Sequence, residues 1–191
     1  RFCPKYSFIR DFISDRTFGP VNRVNATYYS GWFHNGIHVV DTLAYLLGDI
    51  IRWDKVLSTV PSPHEGDPSF EMIGFFEKSN AKVIVSAIDE SLYQLFDFDF
   101  WFESGRLRID DFGSRISFEK QVVNQIGERV LAPCEIELPS SSLTEMQIAY
   151  GQICDFLENG DRCILNPVSV EKIESTMSIL WQAQELYFAN S

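Results

Sequence analysis

Two of the three histidines in this chain lie four residues apart in a stretch with helical periodicity. Within residues 30–49, polar side chains recur at positions i, i+4, i+7 and i+11, namely His34, His38, Asp41 and Tyr45. A helix would present them as a single polar stripe, because residues at this spacing lie on one face. Imidazoles and carboxylates are common donors and acceptors of protons in catalysis. The segment is therefore the first candidate for an acid–base site.

The spacing leaves two other interpretations of this stripe open. The imidazole pair could line a wet groove or hydrogen-bond to backbone groups without a catalytic role. A His-x-x-x-His pair on a helix also directs two ring nitrogens at one point, so His34 and His38 could bind zinc with Asp41 as a third ligand. No Glu follows His34, which excludes the metalloprotease signature. We favour proton transfer and predict no metal site.

Residues 36–48, GIHVVDTLAYLLG, resemble the Gly-x-His-x-x-Asp…Leu-x-Gly segment in the second domain of the Gfo/Idh/MocA oxidoreductases. The resemblance continues as an ordered series of landmarks at residues 1–4 (RFCP), 18–21 (FGPV) and 155–160 (DFLENG) and at Pro167. Members of this family are NAD(P)-dependent sugar and polyol dehydrogenases. The resemblance implies the C-terminal, substrate-binding and oligomerisation domain of a longer protein, with a fold like the C-terminal domain of glyceraldehyde-3-phosphate dehydrogenase.

The same resemblance assigns roles to individual residues. His38 matches the family's proton-transfer histidine, and Asp41 would orient it or contact substrate hydroxyls. His34 stands where the family usually has Asp, so it is a catalytic candidate that cannot supply the negative charge favouring a protonated imidazole. Aromatic residues just before the helix are expected to stack on a sugar ring or to shape its site, namely Tyr28, Tyr29, Trp32 and Phe33.

Hydride transfer needs a nicotinamide, but the sequence contains no Gly-x-Gly-x-x-Gly turn to hold one. The resemblance places that turn, together with a catalytic lysine in a Glu-Lys-Pro motif, in a Rossmann domain preceding this one. We therefore expect the full-length protein to use NAD or NADP and this chain alone to bind neither. The alternative is a non-catalytic ligand-binding or scaffolding domain of the same fold, which His34 in place of the usual Asp favours.

The composition narrows the choice of partners and compartment. The 191 residues carry a formal net charge of −11, so clusters of Lys and Arg that bind nucleic acid or anionic membranes are not expected. No apolar run approaches the roughly 18 residues of a membrane span, and no signal segment opens the sequence. Four scattered cysteines lack a Cys-x-x-Cys pair and suggest reduced thiols in the cytoplasm.

Periodicity predicts the elements that must position the stripe. Helices are predicted at residues 6–15, 30–49, 142–160 and 170–188. Strands are predicted at residues 21–30, 50–59, 69–77, 81–88, 93–103, 105–110, 115–120 and 134–138. Short polar connections suggest that the strands within residues 69–103 form an antiparallel meander. The loop at residues 61–68 is rich in Pro and Gly, and we expect its His64 to be solvated and not functional.

Two patterns predict which faces are buried. In the strand at residues 93–103, alternate positions are apolar and would face the core, namely Phe96, Phe98, Phe100 and Phe102. In the last helix, one face would carry Val170, Ile173, Met177, Leu180 and Tyr187.

The order of elements predicts one α+β domain over residues 1–191, with a large, mainly antiparallel sheet and helices on one face. The opposite sheet face, which includes Trp101, would then lack a cover. We expect it to pair with a second copy of the chain, giving a homo-oligomer.

Overall fold

The computed structural model describes residues 3–160 and 170–189. In these residues, four α-helices flank one open sheet of eight strands, which confirms the α+β prediction. The helices are α1 (Pro4–Ser14), α2 (Ile37–Leu47), α3 (Glu145–Asn159) and α4 (Val170–Ala189). The strands are β1 (Val21–Tyr29), β2 (Ile51–Val60), β3 (Ser69–Phe76), β4 (Lys82–Ile88), β5 (Asp97–Phe102), β6 (Gly105–Asp110), β7 (Arg115–Val123) and β8 (Arg129–Cys134). The landmarks at residues 1–2 and Pro167, and also Cys163, lie outside the described residues.

The sheet has the order β2-β3-β4-β1-β5-β6-β7-β8 and is antiparallel except between β1 and β4. The predicted meander is therefore wrong between β4 and β5, because β1 lies between them. Tyr28 of β1 is in register with Ala87 of β4, and Ala26 of β1 with Phe98 of β5. Alternation specifies which side of a strand is buried, whereas the neighbour of a strand depends on long-range pairing.

The last strand lies earlier than predicted. The tight turn after β7 has Asn124 N donating to Glu128 O (2.9 Å), and it places Arg129 opposite Val123. β8 therefore ends at Cys134, where the sequence analysis began it. Because the turn is short, β8 begins to pair with β7 only six residues after β7 ends.

The core lies between the helices and one face of the sheet. Phe98, Phe100 and Phe102 of β5 are buried, as the alternation predicts. From the helix side, α2 contributes Val39, Val40, Leu43 and Leu46, all 2% exposed or less. α2 ends at Gly48 in a left-handed conformation (φ 60°), which confirms the predicted stop. This burial fixes α2 on the sheet and leaves its other face for the polar stripe.

Two buried indoles attach α4 to the rest of the domain. Trp32 Nε1 donates to Leu180 O (3.1 Å), and Trp53 Nε1 donates to Ile179 O (3.0 Å). The buried positions of α4 are accordingly Thr176, Ile179, Leu180 and Ala183. Ile173, which was predicted to share the core face, is 54% exposed. It lies on the same side of the helix as the buried Leu180 but near the N-terminal end of α4, before Thr176, the first of these buried positions.

Candidate active site at the start of α2

The polar stripe does not lie on one continuous α-helix. Trp32–Gly36 form a π-turn, in which Gly36 N donates to Gly31 O (3.0 Å), and α2 begins only at Ile37. The prediction of a single helix from residue 30 is therefore wrong at its N-terminal end. A π-turn is wider than an α-helical turn, so His34 is rotated away from the position that α-helical spacing with His38 would give.

Two glycines permit this local geometry. Gly31 has φ 86°, and a Cβ there would collide with the carboxylate of Asp67. A Cβ at Gly36 would collide with the ring of Trp32, which folds back across the turn. Both positions exclude a larger residue, because the backbone passes against another group at close range.

His34 is exposed and stacks on His64 from the loop at residues 61–68. The ring centroids are 3.8 Å apart, with an angle of 31° between the ring planes. His64 is half-buried, and its Nε2 lies 3.2 Å from Ser30 Oγ. The prediction that His64 is merely solvated is wrong, because the loop returns to the start of α2 and places two imidazoles in contact.

His38 lies on α2 proper and is exposed, whereas its neighbours Val39 and Val40 are fully buried. The apolar face holds the helix against the core, and the His38 imidazole remains accessible to a ligand. An accessible imidazole on a rigid element can donate or accept a proton without displacing any core group.

Asp41 is half-buried and lines a cavity whose lining includes neither of the two exposed histidines. This open cavity of about 400 Å³ lies between α1, α2 and α3. The polar and aromatic lining comprises Lys5, Tyr6, Asp41, Thr42, Tyr45 and Phe112. Tyr45 is anchored to α1 through contacts of its hydroxyl with Ser7 Oγ (3.0 Å) and Arg10 Nη1 (3.3 Å). The C-terminal half of the stripe therefore faces a mixed aromatic and polar cavity.

The four aromatic candidates separate into two pairs. Tyr28 and Trp32 are fully buried, so neither has a surface for a ligand, and we retain neither as a substrate contact. The Tyr28 hydroxyl accepts from Phe70 N (2.6 Å), and burial raises the pKa of this phenol. Phe33 and Tyr29 are half-buried. Phe33 packs 5.0 Å from Trp181, and Tyr29 packs edge-on to Phe112 at 6.1 Å.

Sequence reasoning missed the acidic residue closest to the π-turn. Asp67 Oδ1 accepts from Phe33 N (2.9 Å), and Asp67 Oδ2 accepts from His34 N (2.9 Å). The Gly66-Asp67-Pro68 sequence signals a turn, but no spacing rule relates residue 67 to residues 33 and 34. Only the tertiary structure brings them together.

The described residues bear on two kinds of bound group, a metal ion and a dinucleotide. Over residues 3–160 and 170–189, no group of three or more His, Cys, Asp and Glu side chains is arranged to hold a metal ion. The zinc interpretation of the stripe therefore has no support. A dinucleotide needs a glycine-rich turn between a strand and a helix, and the sequence has no such motif. Among the helices described, none combines the length and apolar character needed to span a bilayer.

Comparisons with known proteins give a result only at the level of structure. No protein-family model matches the chain, and no curated protein matches its sequence. An oxidoreductase from Sinorhizobium meliloti is similar with a TM-score of 0.71 at 13% identity, over 98% of this chain and 60% of that one. An NAD-binding oxidoreductase from Klebsiella pneumoniae is similar with a TM-score of 0.66 at 10% identity, over 100% and 63%. The transcriptional regulator Gal80p from Kluyveromyces lactis is similar with a TM-score of 0.59 at 13% identity, over 96% and 55%.

These similarities concern the fold, because the identities are between 10 and 13%. The chain spans between 55 and 63% of the length of these structures. Its open, mixed eight-stranded sheet with four helices corresponds to their C-terminal domain. The chain therefore has the fold of the C-terminal domain of Gfo/Idh/MocA-type oxidoreductases.

Proposed function

We propose that this chain is the substrate-binding and oligomerisation domain of an NAD(P)-dependent oxidoreductase that acts on a sugar or polyol. The observation that carries the proposal is the exposed His38 on a helix whose other face is buried, in a domain with an oxidoreductase fold. The His38 imidazole is therefore held on a rigid helix and remains accessible to a ligand, unlike a histidine buried in the core.

In this proposal, His38 helps a lysine outside this chain to take the hydroxyl proton of the substrate during oxidation and to return it during reduction. Hydride transfer is the chemistry that a bound nicotinamide would supply. His34 and Asp41 act around His38, His34 from the π-turn and Asp41 from the next turn of α2. Hydroxyl-rich ligands suit the neighbouring surface, because carboxylates hydrogen-bond hydroxyls and aromatic faces pack on sugar rings. Phe33 and Tyr29 are the half-buried aromatic groups that remain as candidates for the second role.

We propose that NAD or NADP is held by a Rossmann domain outside this chain. The residues described do not fit the cofactor's phosphates, so this chain contributes substrate contacts and a proton-transfer group only. The described cysteines Cys3, Cys134 and Cys154 are free thiols, which supports our proposal of a cytoplasmic location.

The proposed oligomer uses the sheet face opposite the helices. This face combines Trp101, which is 37% exposed, with the Arg106 guanidinium 4.3 Å from its ring centre. Among the side-chain atoms described, Arg108 Nε and Ser117 Oγ on this face are buried without a hydrogen bond. Buried polar atoms normally have a hydrogen-bond partner, so these two mark a part of the face where the single chain leaves polar groups unsatisfied.

The test is activity of the protein that contains this chain, assayed with NAD and NADP against a panel of aldoses and polyols. We expect His38→Ala to reduce turnover by a factor on the order of 10² to 10⁴. It should change the free energy of unfolding by no more than about 0.5 kcal/mol, because the side chain is exposed. Glu174→Ala, at an exposed position of another helix, α4, is the matched control and should leave both quantities unchanged. Loss of stability in His38→Ala with full specific activity would contradict the proposal.

A second candidate is a non-catalytic ligand-binding or scaffolding domain. It is favoured by His34 in place of the family's usual Asp and by the similarity to Gal80p, which is described as a transcriptional regulator. It predicts sugar binding without turnover of nicotinamide cofactor, and binding that His38→Ala leaves intact.

A further inference from the structure

The end of the β2–β3 connection and the first residue of β3 provide the acceptors for the start of the π-turn. A helix leaves its first backbone N–H groups without internal partners. Here four consecutive N–H groups donate to three consecutive residues. Gly31 N donates to Ser69 Oγ (2.8 Å) and Trp32 N to Pro68 O (3.2 Å), while Phe33 N and His34 N donate to the two carboxylate oxygens of Asp67.

The backbone entering the turn is strained and needs this support. Ser30 has φ 62° and is followed by Gly31 at φ 86°, so two successive residues are left-handed. A non-glycine residue in this conformation is strained and persists only where the surroundings hold it. The surroundings of Ser30 come from the same connection, since its Oγ lies 3.2 Å from His64 Nε2.

The position of His34 therefore depends on the β2–β3 connection at two points, Asp67 and His64. Its backbone N–H is bound by the carboxylate, and its ring stacks on His64, three residues before Asp67 in the same loop. His38 has no such dependence, because α2 is held by its own buried face. The separation between the two imidazoles is thus set by the β2–β3 connection and not by α2 alone.

We infer that Asp67 is a positioning residue of the candidate site, which holds His34 and Phe33 in place by binding their backbone N–H groups. The catalytic consequence rests on the proposed function, but the positioning itself is independent of it. Glu65 provides a matched comparison, because it is an exposed carboxylate in the same loop with no hydrogen bond to the turn among the described contacts.

The structural test uses nuclear Overhauser effects between histidine ring protons in the 191-residue chain. The chain has only three histidines, so the spectrum contains three sets of imidazole signals. Two of them report the His34–His64 stack, and the third, from His38, is the reference. Rings 3.8 Å apart give a strong inter-ring effect between His34 and His64. We expect Asp67→Ala to abolish it and Glu65→Ala to retain it, with the His38 signal unchanged in both. Asp67→Asn keeps one acceptor oxygen and should retain part of the effect.

An intact His34–His64 effect in folded Asp67→Ala would overturn the inference, as would its equal loss in Glu65→Ala. If Asp67→Ala does not fold, Asp67→Asn becomes the deciding variant. A His34–His64 effect at full strength in that variant, together with unchanged backbone chemical shifts at residues 31–34, would overturn the inference. The functional readout is turnover of the full protein. A displacement near 1 Å can lower turnover roughly 10²-fold, so Asp67→Ala should lower kcat more than it raises KM.

The two proposals fail in different ways. Suppose that Asp67→Ala loses the inter-ring effect but no variant, wild type included, has activity. This result would support the positioning role of Asp67 and contradict the proposed oxidoreductase activity. Full activity in an Asp67→Ala variant that has lost the effect would show that Asp67 positions nothing that catalysis uses, and would overturn the inferred role.

Discussion

His34 and His38 differ in what holds them, and this difference predicts different consequences of removing each. His38 extends from a helix anchored in the core, whereas His34 lies on a π-turn that the β2–β3 connection supports. The resemblance assigns proton transfer to His38 and leaves His34 an orienting or substrate-contacting role.

We therefore expect His34→Ala to reduce turnover less than His38→Ala, by less than about 10²-fold. His34→Asp restores the family's usual residue and places a carboxylate near His38, which favours the charged imidazole. We expect it to retain activity and to move the pH optimum upward. The measurement is the pH profile of kcat and kcat/KM for wild type and both variants. A larger loss in His34→Ala than in His38→Ala would reverse the two roles.

Asp97 on β5 gives a prediction for the pH dependence of stability. Its partial burial raises the pKa of the carboxyl above the ordinary value of 3.8, although Oδ1 accepts from Asp111 N (2.7 Å). A raised pKa means that the folded state binds the proton more tightly than the unfolded state. The stabilising contribution is therefore present below pH 3.8 and is lost as the pH rises through the folded-state pKa.

Asp97→Asn mimics the protonated carboxyl and should raise the free energy of unfolding relative to wild type at pH 7. The advantage should disappear below pH 3.8. Urea unfolding across this range is the measurement. Asp99→Asn is the contrasting control on the same strand. It removes the negative charge and one of the two acceptor oxygens that Asp99 offers to Arg106 (2.8 Å each), so it should destabilise at pH 7. Lower stability of Asp97→Asn at pH 7 would contradict the sign.

Among the elements, α4 depends most clearly on specific contacts. The indole N–H groups of Trp32 and Trp53 donate to the adjacent carbonyl oxygens of Leu180 and Ile179 and attach the helix to the rest of the domain. Trp53 is 3% exposed, and its backbone N also donates to Gln182 Oε1 (3.1 Å).

Trp53→Phe keeps an aromatic ring but removes the N–H donor and some buried volume. We expect it to lower the free energy of unfolding by about 2 kcal/mol and to speed amide hydrogen exchange in α4 more than in β5. Trp181→Phe is the matched control on α4, because Trp181 is 51% exposed. It should change stability by no more than about 0.5 kcal/mol. Equal effects of the two variants would show that the indole bond does not anchor the helix.

The domain as a unit presents two unequal sheet faces. One is covered by helices, and the other carries apolar and charged side chains together, such as Phe75 at 37% exposure and the Asp99–Arg106 ion pair. A face that combines exposed aromatic side chains with unsatisfied buried polar atoms suits our proposal that it associates with a second copy of the chain.

Sedimentation of the chain should therefore report a dimer or larger assembly. Phe75→Asp should shift the equilibrium toward the monomer, because it places a charge in the proposed interface. Leu92→Asp is the control, since Leu92 is 71% exposed in a turn between β4 and β5. A wild-type monomer at high micromolar concentration would contradict the proposal.

Local patterns in the sequence were sufficient to predict most elements, because helix and strand periodicities and their stop signals involve neighbours along the chain. The alternating Phe98, Phe100 and Phe102 predicted the buried side of β5, and Gly48 predicted the end of α2. The motif around His38 indicated both the fold and the candidate catalytic group. Each depends on residues within one or two turns of one another.

The tertiary structure decided which strands are neighbours and how the site is assembled. β1 pairs with β4 and β5, more than 50 residues later in the sequence, and periodicity contains no signal for such pairing. The contacts of Asp67 with Phe33 and His34 join residues 34 and 33 positions apart, and the bond from Trp32 to Leu180 joins residues 148 apart. Where these contacts occur, the chain forms a π-turn and not the expected α-helical turn, and Tyr28 and Trp32 lie in the core. They form only when distant segments pack together, because burial and hydrogen-bond satisfaction are properties of the folded chain.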